Sequence, residues 1–351
     1  MDRIKEFLQK LSVVPGISGY EAGVARLVRD TFTPYVDEIR TDKLGNVICL
    51  KKGQKGMPLK VMLAAHMDEI GFIVSDIKDG FVKVHPIGGI DPRTLVNQEV
   101  VISGRREVPG VFAAFAPHLS HREDIVKGVT LAEDLFIDTG LDAETAAKLL
   151  RIGDMVTIKR DFCELAGGLV AGKAFDDRAG IALVLACLME LKTLVLPCDL
   201  FFAATVQEEV GVRGAATATF GIVPDIGIAV DVCHGDFPGA PKHDTSELGK
   251  GPVITWGPNI NPFIFHKLKQ TAEKYDIPFQ EDTAPGPTGT DARAIQITRE
   301  GIATGLVSIP LRYMHTSVET LNLKDITWGG RLLAYFLKEL VLSDKEELKC
   351  F

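Results

Sequence analysis

The chain has 351 residues, 46% of them hydrophobic, and a formal net charge of −8 at pH 7. This length favours two domains, and the acidic balance argues against nucleic acid as the main partner. No apolar run reaches the roughly 18 residues that a membrane-spanning helix needs, and the N-terminus does not resemble a signal peptide. The six cysteines form no Cys-x-x-Cys pair, which favours reduced thiols over a disulfide framework. We therefore expect a cytoplasmic protein with no membrane partner.

The N-terminal region has helical patterns followed by extended ones. Apolar spacing predicts helices over 2–13 and 21–32, with Ser18 as the cap of the second. Strands are predicted over 47–50 and 61–65. The second strand is a short apolar run, which is typical of a strand buried on both faces of a parallel sheet. His66 and Asp68 would lie just beyond its carboxyl end.

The sequence pattern changes in the next part of the chain. Short extended segments follow one another at roughly ten-residue spacing, over 71–76, 80–84, 100–103, 110–115 and 155–159. A helix over 143–150, capped by Asp142, interrupts them. Such strands predict a small barrel or sandwich. We therefore predict an inserted β domain over 72–161, with 1–71 and 162–351 forming the other domain.

Strands and helices alternate in the remainder of the chain. Strands are predicted over 200–205, 225–230 and 302–308. Helices are predicted over 177–191, 214–219 and 323–342, together with one that begins at Pro262 after the cap Asn261. This alternation predicts an α/β fold, with a mostly parallel sheet flanked by helices on both faces.

Two histidines and several acids follow strands or lie in strand–helix turns: His66, Asp176-Asp177, Glu208-Glu209, Asp231 and His315. In an open α/β sheet the carboxyl ends of parallel strands meet at one edge, where ligands bind. Imidazole and carboxylate groups are good ligands of zinc-like metals, and this set would suit a pair of divalent ions. The Asp68 carboxylate could also hydrogen-bond the other ring nitrogen of His66 and hold the ring in place.

Each of these positions also has an ordinary structural explanation. Asp176 or Asp177 could cap the following helix, and Glu208-Glu209 could be an acidic helix start. Asp231 could be a loop acid, and a single histidine could be structural. We favour the joint metal site because it is improbable that all of these residues would lie at matching positions for unrelated structural reasons.

Other interpretations fit parts of the pattern. His118 and His121 could form a second metal site, but we favour a solvated polar loop for them. The two acidic pairs would suit an endoglucanase-like glycoside hydrolase, although the strand-end histidines argue against that interpretation. A non-catalytic metal-binding scaffold would keep the ligands but would have no use for Glu208.

The motifs taken together resemble those of the tetrahedral aminopeptidases. They are His-x-Asp at 66–68, Asp-Asp-Arg-x-Gly at 176–180, Glu-Glu-Val-Gly-x-x-Gly-Ala at 208–215, the acid at 231 and Arg-Tyr-x-His-Thr at 312–316. These proteins are cytosolic dinuclear metallopeptidases that include glutamyl and deblocking aminopeptidases, and some members have been labelled endoglucanases. The resemblance covers essentially the whole chain.

The resemblance implies an enzyme that removes N-terminal residues from peptides with two divalent ions, zinc or cobalt. The implied metal ligands are His66, Asp176, Glu209, Asp231 and His315, with Asp176 as the bridge. Glu208 matches the general base and Asp68 matches the acid that orients His66. The resemblance also implies a PDZ-like inserted domain and dimers that assemble into a hollow shell of twelve subunits.

Two segments depart from the family pattern. Cys233-His234 follows Asp231 where small or apolar residues are more usual, and the Gly-rich stretch before Thr290-Asp291-Ala292 contains Pro285 and Pro287. Both departures concern the substrate pocket, so the preferred N-terminal residue is left open. An acidic preference would require a basic pocket.

Overall fold

The computed structural model describes residues 1–54, 59–113 and 135–349. The loop with His118 and His121 lies outside the described residues. The strands, in chain order, are β1 (Glu38–Thr41), β2 (Val47–Lys51), β3 (Lys60–His66), β4 (Gly71–Lys78), β5 (Phe81–Ile87), β6 (Glu99–Ser103), β7 (Glu107–Ala113), β8 (Phe136–Asp138), β9 (Met155–Ile158), β10 (Cys163–Glu164), β11 (Leu169–Gly172), β12 (Asp199–Thr205), β13 (Ile226–His234), β14 (Val253–Trp256), β15 (Gln280–Thr283), β16 (Ala303–Leu311) and β17 (Glu319–Asn322). The α-helices are Asp2–Val13, Ala22–Phe32, Ala143–Leu149, Phe175–Glu190, Arg213–Ile222, Pro262–Lys274, Ala292–Gln296 and Leu323–Lys338.

The main sheet is mixed, with a parallel centre. Its strand order is β1-β2-β12-β3-β13-β16-β14-β15. The central strands β12, β3, β13 and β16 run parallel, as the sequence predicts. The pairs β1–β2, β2–β12 and β14–β16 are antiparallel. The sheet is mixed because further strands join both sides of the predicted centre: β2, which the pattern predicts over 47–50, and β1, β14 and β15, which it does not reveal.

The centre of the sheet is covered by buried helices. Residues 61–65 in β3 are at most 1% exposed, as expected for a parallel strand with both faces covered. The helix Phe175–Glu190 is buried from Phe175 to Leu188 and packs on the helix Leu323–Lys338. A Cβ atom at Gly330 would lie 2.5 Å from the Cβ of Ala186, so the close approach of these two helices requires glycine there.

Two predicted helix caps are confirmed and one is wrong. Asp142 accepts a hydrogen bond from Thr145 N, and Asn261 accepts one from Ile264 N. Ser18 does not cap the second helix, which begins at Ala22. Its hydroxyl instead donates to Asp68 at 2.6 Å, because the loop before the helix turns towards the end of β3.

The strand that contains Asp231 is longer than its apolar run. The pattern predicts that it ends at residue 230, but β13 continues to His234. It does so because β16 pairs with it over its full length, from Ile226 opposite Ala303 to His234 opposite Leu311. Asp231 is therefore a strand residue rather than the first residue of a loop.

A closed barrel forms from strands of the inserted region, in the order β4-β5-β8-β7-β6-β9. Its interior is a hydrophobic cluster of its own that includes Phe72, Val100, Phe112, Ile137 and Val156. Of the two shapes that the sequence allowed, the structure has the barrel. The division of the chain into two domains stays a prediction. Within residues 1–54, 59–113 and 135–349, no helix has both the length and the apolar character to cross a membrane.

Candidate active site

The carboxyl ends of the central strands border a cavity of about 320 Å³. His66 is the last residue of β3, Glu208 and Glu209 follow β12, and Asp231 lies near the end of β13. All four line the cavity together with Asp176 and His315. Asp68 and Asp177 are also close by, but they do not line it. The folded chain thus brings the distant sequence motifs to one cavity.

His66 is held by contacts at both ring nitrogens. Its Nε2 lies 3.1 Å from Asp176 Oδ1. Its Nδ1 lies 3.0 Å from the backbone oxygen of Asp68 but 3.5 Å from the carboxylate of the same residue. The nearer partner is therefore the Asp68 carbonyl rather than the carboxylate that the sequence suggests. A proton on Nδ1, donated to that carbonyl, leaves the Nε2 lone pair facing the cavity.

The Asp68 carboxylate instead fixes the turn after β12. It is fully buried and accepts hydrogen bonds from Glu208 N at 3.0 Å and Glu209 N at 3.2 Å. Ser18 donates the third bond. Because charge-assisted bonds of this kind are stronger than neutral ones, Asp68 sets the direction of the two neighbouring glutamates.

Asp176 and Asp177 have different environments. Asp176 lies between the two histidines, with Oδ1 3.1 Å from His66 Nε2 and Oδ2 3.1 Å from His315 Nε2. Asp177 accepts hydrogen bonds from Gly180 N and from the backbone N of His66. The capping explanation that the sequence left open thus applies to Asp177, while Asp176 faces the cavity.

His315 connects the second part of the cluster to the barrel. Its Nε2 lies 3.2 Å from Glu209 Oε1, and its Nδ1 lies 2.7 Å from the backbone oxygen of Gly89, just after β5. The backbone N of His315 donates to Glu319, whose other carboxylate oxygen accepts from the backbone N–H groups of Phe175 and Asp176. One buried carboxylate therefore positions both Asp176 and His315.

Among the described residues, two groups of side chains have the geometry to hold a metal ion. The first is His66, Asp176 and Asp231, and the second is Asp176, Glu209 and His315, with the ligand atoms of each group within 4.8 Å of one another. Asp176 belongs to both groups. The donors are imidazole and carboxylate, the set that zinc-like and cobalt-like ions accept.

The cavity is rich in negative charge. Burial raises the pKa of Glu208 to about 9, and it raises the pKa of Asp231 well above its usual range. Burial opposes protonation of His315, but Asp176 and Glu209 outweigh it and raise the pKa of this histidine to about 11. Asp176, held between two histidines, has its pKa lowered despite its burial. The raised pKa values of Glu208, Asp231 and His315 have the sign expected where acids outnumber cations, and bound cations would relieve that excess. The lowered pKa of Asp176 has the opposite sign because His66 and His315 face it directly.

Three residues of the site were missed by the sequence reasoning. Ser18 and Glu319 act through hydrogen bonds to Asp68 and to backbone groups, which no local pattern reveals. Asp291 accepts a hydrogen bond from Thr205 Oγ1 at 2.6 Å, and its other carboxylate oxygen is buried with no hydrogen-bond partner in the described part of the chain. The departure seen in the sequence is the Gly-rich stretch before Thr290-Asp291-Ala292, and no sequence pattern assigns a role to Asp291.

Comparisons with known proteins agree with this fold and site. A family model, "M42 glutamyl aminopeptidase", matches residues 45–332. The lysyl aminopeptidase of Pyrococcus furiosus is 39% identical over 344 residues, which cover 97% of this chain and 98% of the relative. The structure of a TET aminopeptidase from a marine sediment Thaumarchaeota archaeon superposes with a TM-score of 0.93 at 32% identity, covering 99% of both chains.

Two further solved structures bear on assembly and on the alternative function. The TET1 peptidase of Pyrococcus horikoshii, described as able to assemble into a tetrahedron or a large octahedral shell, has a TM-score of 0.83 at 33% identity, with 96% of this chain and all of that one covered. A Thermotoga maritima protein described as an endoglucanase has a TM-score of 0.77 at 33% identity, with coverages of 95% and 96%.

The fold and the cluster at the strand ends define an aminopeptidase of the metallopeptidase class. The chain belongs to the M42 glutamyl aminopeptidase family, whose model spans most of its length. The resemblance drawn from the motifs is thereby confirmed at the level of the family and of the enzyme class.

Substitution of Ser18 by alanine tests whether the Asp68 contacts matter for activity. It removes one hydrogen bond to a buried carboxylate, which is worth about 1.5–3 kcal/mol. We expect catalytic efficiency to fall about tenfold, with the fold retained because Glu208 N and Glu209 N still hold Asp68. Steady-state kinetics and circular dichroism would check this. The control is Ser343→Ala, which alters an exposed residue and should leave the rate unchanged. Unaltered kinetics in Ser18→Ala would show that the third bond to Asp68 is dispensable.

Proposed function

We propose that this chain hydrolyses the N-terminal peptide bond of peptides with two divalent metal ions, zinc or cobalt. The observation that carries the proposal is the pair of ligand groups that share Asp176. One ion would be held by His66, Asp176 and Asp231, and the other by Asp176, Glu209 and His315. When bound, such a pair supplies Lewis-acid activation of water and polarisation of the scissile carbonyl.

Glu208 is the proposed general base. It lines the cavity, and burial raises its pKa to about 9 in the absence of cations. Nearby cations would lower that pKa and favour the carboxylate form, which takes a proton. In the proposed reaction the carboxylate accepts a proton from water and then passes it to the leaving amine. The backbone bond from Glu208 N to Asp68 keeps the residue in place through both steps.

We also propose that the chain forms a large closed homo-oligomer in the cytoplasm, with twelve subunits. The solved relative described as a tetrahedron or octahedral shell supports the assembly. In this proposal the inserted region 72–161 is a PDZ-like assembly domain that presents its barrel to neighbouring subunits. The free thiols of the described cysteines are consistent with a reducing compartment.

The alternative functions have less support. The family model and the curated relative are aminopeptidases, whereas the endoglucanase description belongs to two similar structures, one of which has a description that names a peptidase as well as an endoglucanase. Hydrolysis of a soluble cellulose derivative, with no peptide substrate cut, would favour the glycoside hydrolase. A non-catalytic scaffold would leave the position of Glu208 without a purpose.

The roles of the two adjacent glutamates can be separated by substitution with glutamine. Glu208→Gln keeps the size of the side chain and removes the base, so turnover should fall by about two to four orders of magnitude. Its metal content should survive, because Glu208 belongs to neither ligand group. Glu209→Gln should weaken one metal site, and added metal should partly rescue its activity. Metal stoichiometry measured beside turnover in both variants is the check.

The opposite pattern would reverse this assignment. If Glu208→Gln loses metal while Glu209→Gln keeps two ions and is merely slow, Glu209 is the base. Full activity in both variants would contradict the dinuclear mechanism itself. Glu281→Gln is the matched control, since that residue pairs with Lys269 on the surface and not with the cluster.

Removal of the metal should abolish peptide hydrolysis. The protein would be treated with a chelator, depleted of metal as judged by elemental analysis, and assayed on aminoacyl nitroanilides. We expect activity to disappear and to return on addition of zinc or cobalt, because the ions would supply the Lewis acid that activates water and polarises the carbonyl. Full hydrolysis by verified metal-free protein would disprove the metal requirement.

The mass of the particle in solution tests the assembly. Light scattering at micromolar protein concentration should give a mass near twelve times that of the 38.1 kDa chain. A monomer would refute the closed shell. Dimers alone would refute the shell but leave the catalytic proposal intact, since both ligand groups come from one chain.

A further inference from the structure

The cavity extends from the metal-type cluster towards one edge of the sheet. Asp231 in β13 pairs with Ser308 in β16, and Thr255 in β14 pairs with Asp282 in β15. All four residues line the cavity. Neighbouring strands lie about 4.8 Å apart, so Asp282 is three strand spacings, roughly 14 Å, from Asp231. This wall is long enough to receive an extended side chain whose backbone end lies at the cluster.

The charge of this wall is negative. Apart from the cluster residues, the charged side chains that line the cavity are Asp244 and Asp282, and no lysine or arginine among the described residues lines it. Asp244 is exposed and lies 3.3 Å from His243. Asp282 is half-buried and takes part in no ion pair of the described residues; one of its oxygens accepts a hydrogen bond from Thr283 N at 2.6 Å. Neither acid has a lysine or arginine partner among the described residues, and Asp282 is the less exposed of the two.

The alternation of β15 separates Asp282 from its acidic neighbour. Glu281 pairs with Lys269 of the helix Pro262–Lys274 at 2.7 Å, so it faces the helix. Successive strand residues point to opposite faces, and Asp282 therefore faces the cavity.

We propose that Asp282 makes this wall the recognition site for a lysine or arginine side chain at the N-terminus of the substrate. The inference rests on the proposed aminopeptidase function and names its substrate class. The methylene groups of such a side chain would pack along Val232 and Leu306, and its cationic end would meet Asp282. A glutamate would instead be repelled by an unpaired carboxylate in a partly desolvated cavity.

A pair of substrates of equal length tests the proposed preference for a cationic side chain on the wild-type enzyme alone. Lysyl and norleucyl 4-nitroanilides differ mainly in the terminal ammonium group. With metal-loaded wild-type enzyme we expect kcat/KM for the lysyl substrate to exceed that for the norleucyl substrate by about tenfold or more, and glutamyl to be the poorest. The preference should shrink as salt concentration rises, because part of the cavity is open to solvent.

Two variants assign the preference to one residue. Asp282→Asn should reduce the lysyl rate about tenfold while the norleucyl rate stays within about twofold, and Glu281→Gln should change neither. Equal rates on lysyl and norleucyl substrates in the wild type would overturn the proposal, as would equal losses on both in Asp282→Asn. Either result would leave the aminopeptidase function standing, since norleucyl hydrolysis would continue. If the metal-loaded enzyme cleaved none of the substrates, the proposed function would fail as well.

Discussion

The structure depends on holding several buried carboxylates in fixed directions at one end of a parallel sheet. It does so with three anchoring carboxylates, those of Asp68, Asp177 and Glu319, which accept hydrogen bonds from backbone N–H groups. Backbone donors satisfy a buried acid without introducing a positive side chain. The anchors therefore position the cavity-lining acids and leave the cavity negative. Such an excess of negative charge would suit the pair of divalent ions proposed above.

Arg178 explains why an arginine follows the two aspartates in the motif. Its side chain is fully buried and donates to the backbone oxygens of Leu11 and Val14 and to Glu69. Glu69 also accepts from Lys173 at 2.5 Å, so this buried acid is paired twice. Removing one member of such a pair leaves an uncompensated charge, typically at a cost of about 3–5 kcal/mol. The side chain of Arg178 therefore joins the N-terminal helix to the turn that carries Asp176.

Local pattern was sufficient for the centre of the fold and for the residues that line the cluster. The apolar run before His66 ends where its strand ends, whereas the strands that the pattern predicts to end at 230 and 308 continue to His234 and Leu311. The residues that line the cluster could still be found from sequence, because they lie in or just after these strands or in strand–helix turns. Glu319 could not be found from sequence. It reaches the backbone groups that it holds because β17 pairs with β11 in a separate small sheet. The contact of His315 with Gly89 joins the barrel to the cluster across more than two hundred residues. No sequence window spans such a contact.

The metal-type cluster and the proposed recognition residue Asp282 lie on different parts of the sheet. The cluster lies at the ends of central strands that have neighbours on both sides, so a change there disturbs packing, register and ligand geometry together. Asp282 lies on β15, an edge strand that pairs on one side only, and its side chain is half-buried. Substitution at that edge alters the wall of the cavity and leaves the central packing intact. In the proposed recognition site, a substitution at Asp282 would therefore change the preferred N-terminal residue while the cluster at the centre of the sheet stays as it is.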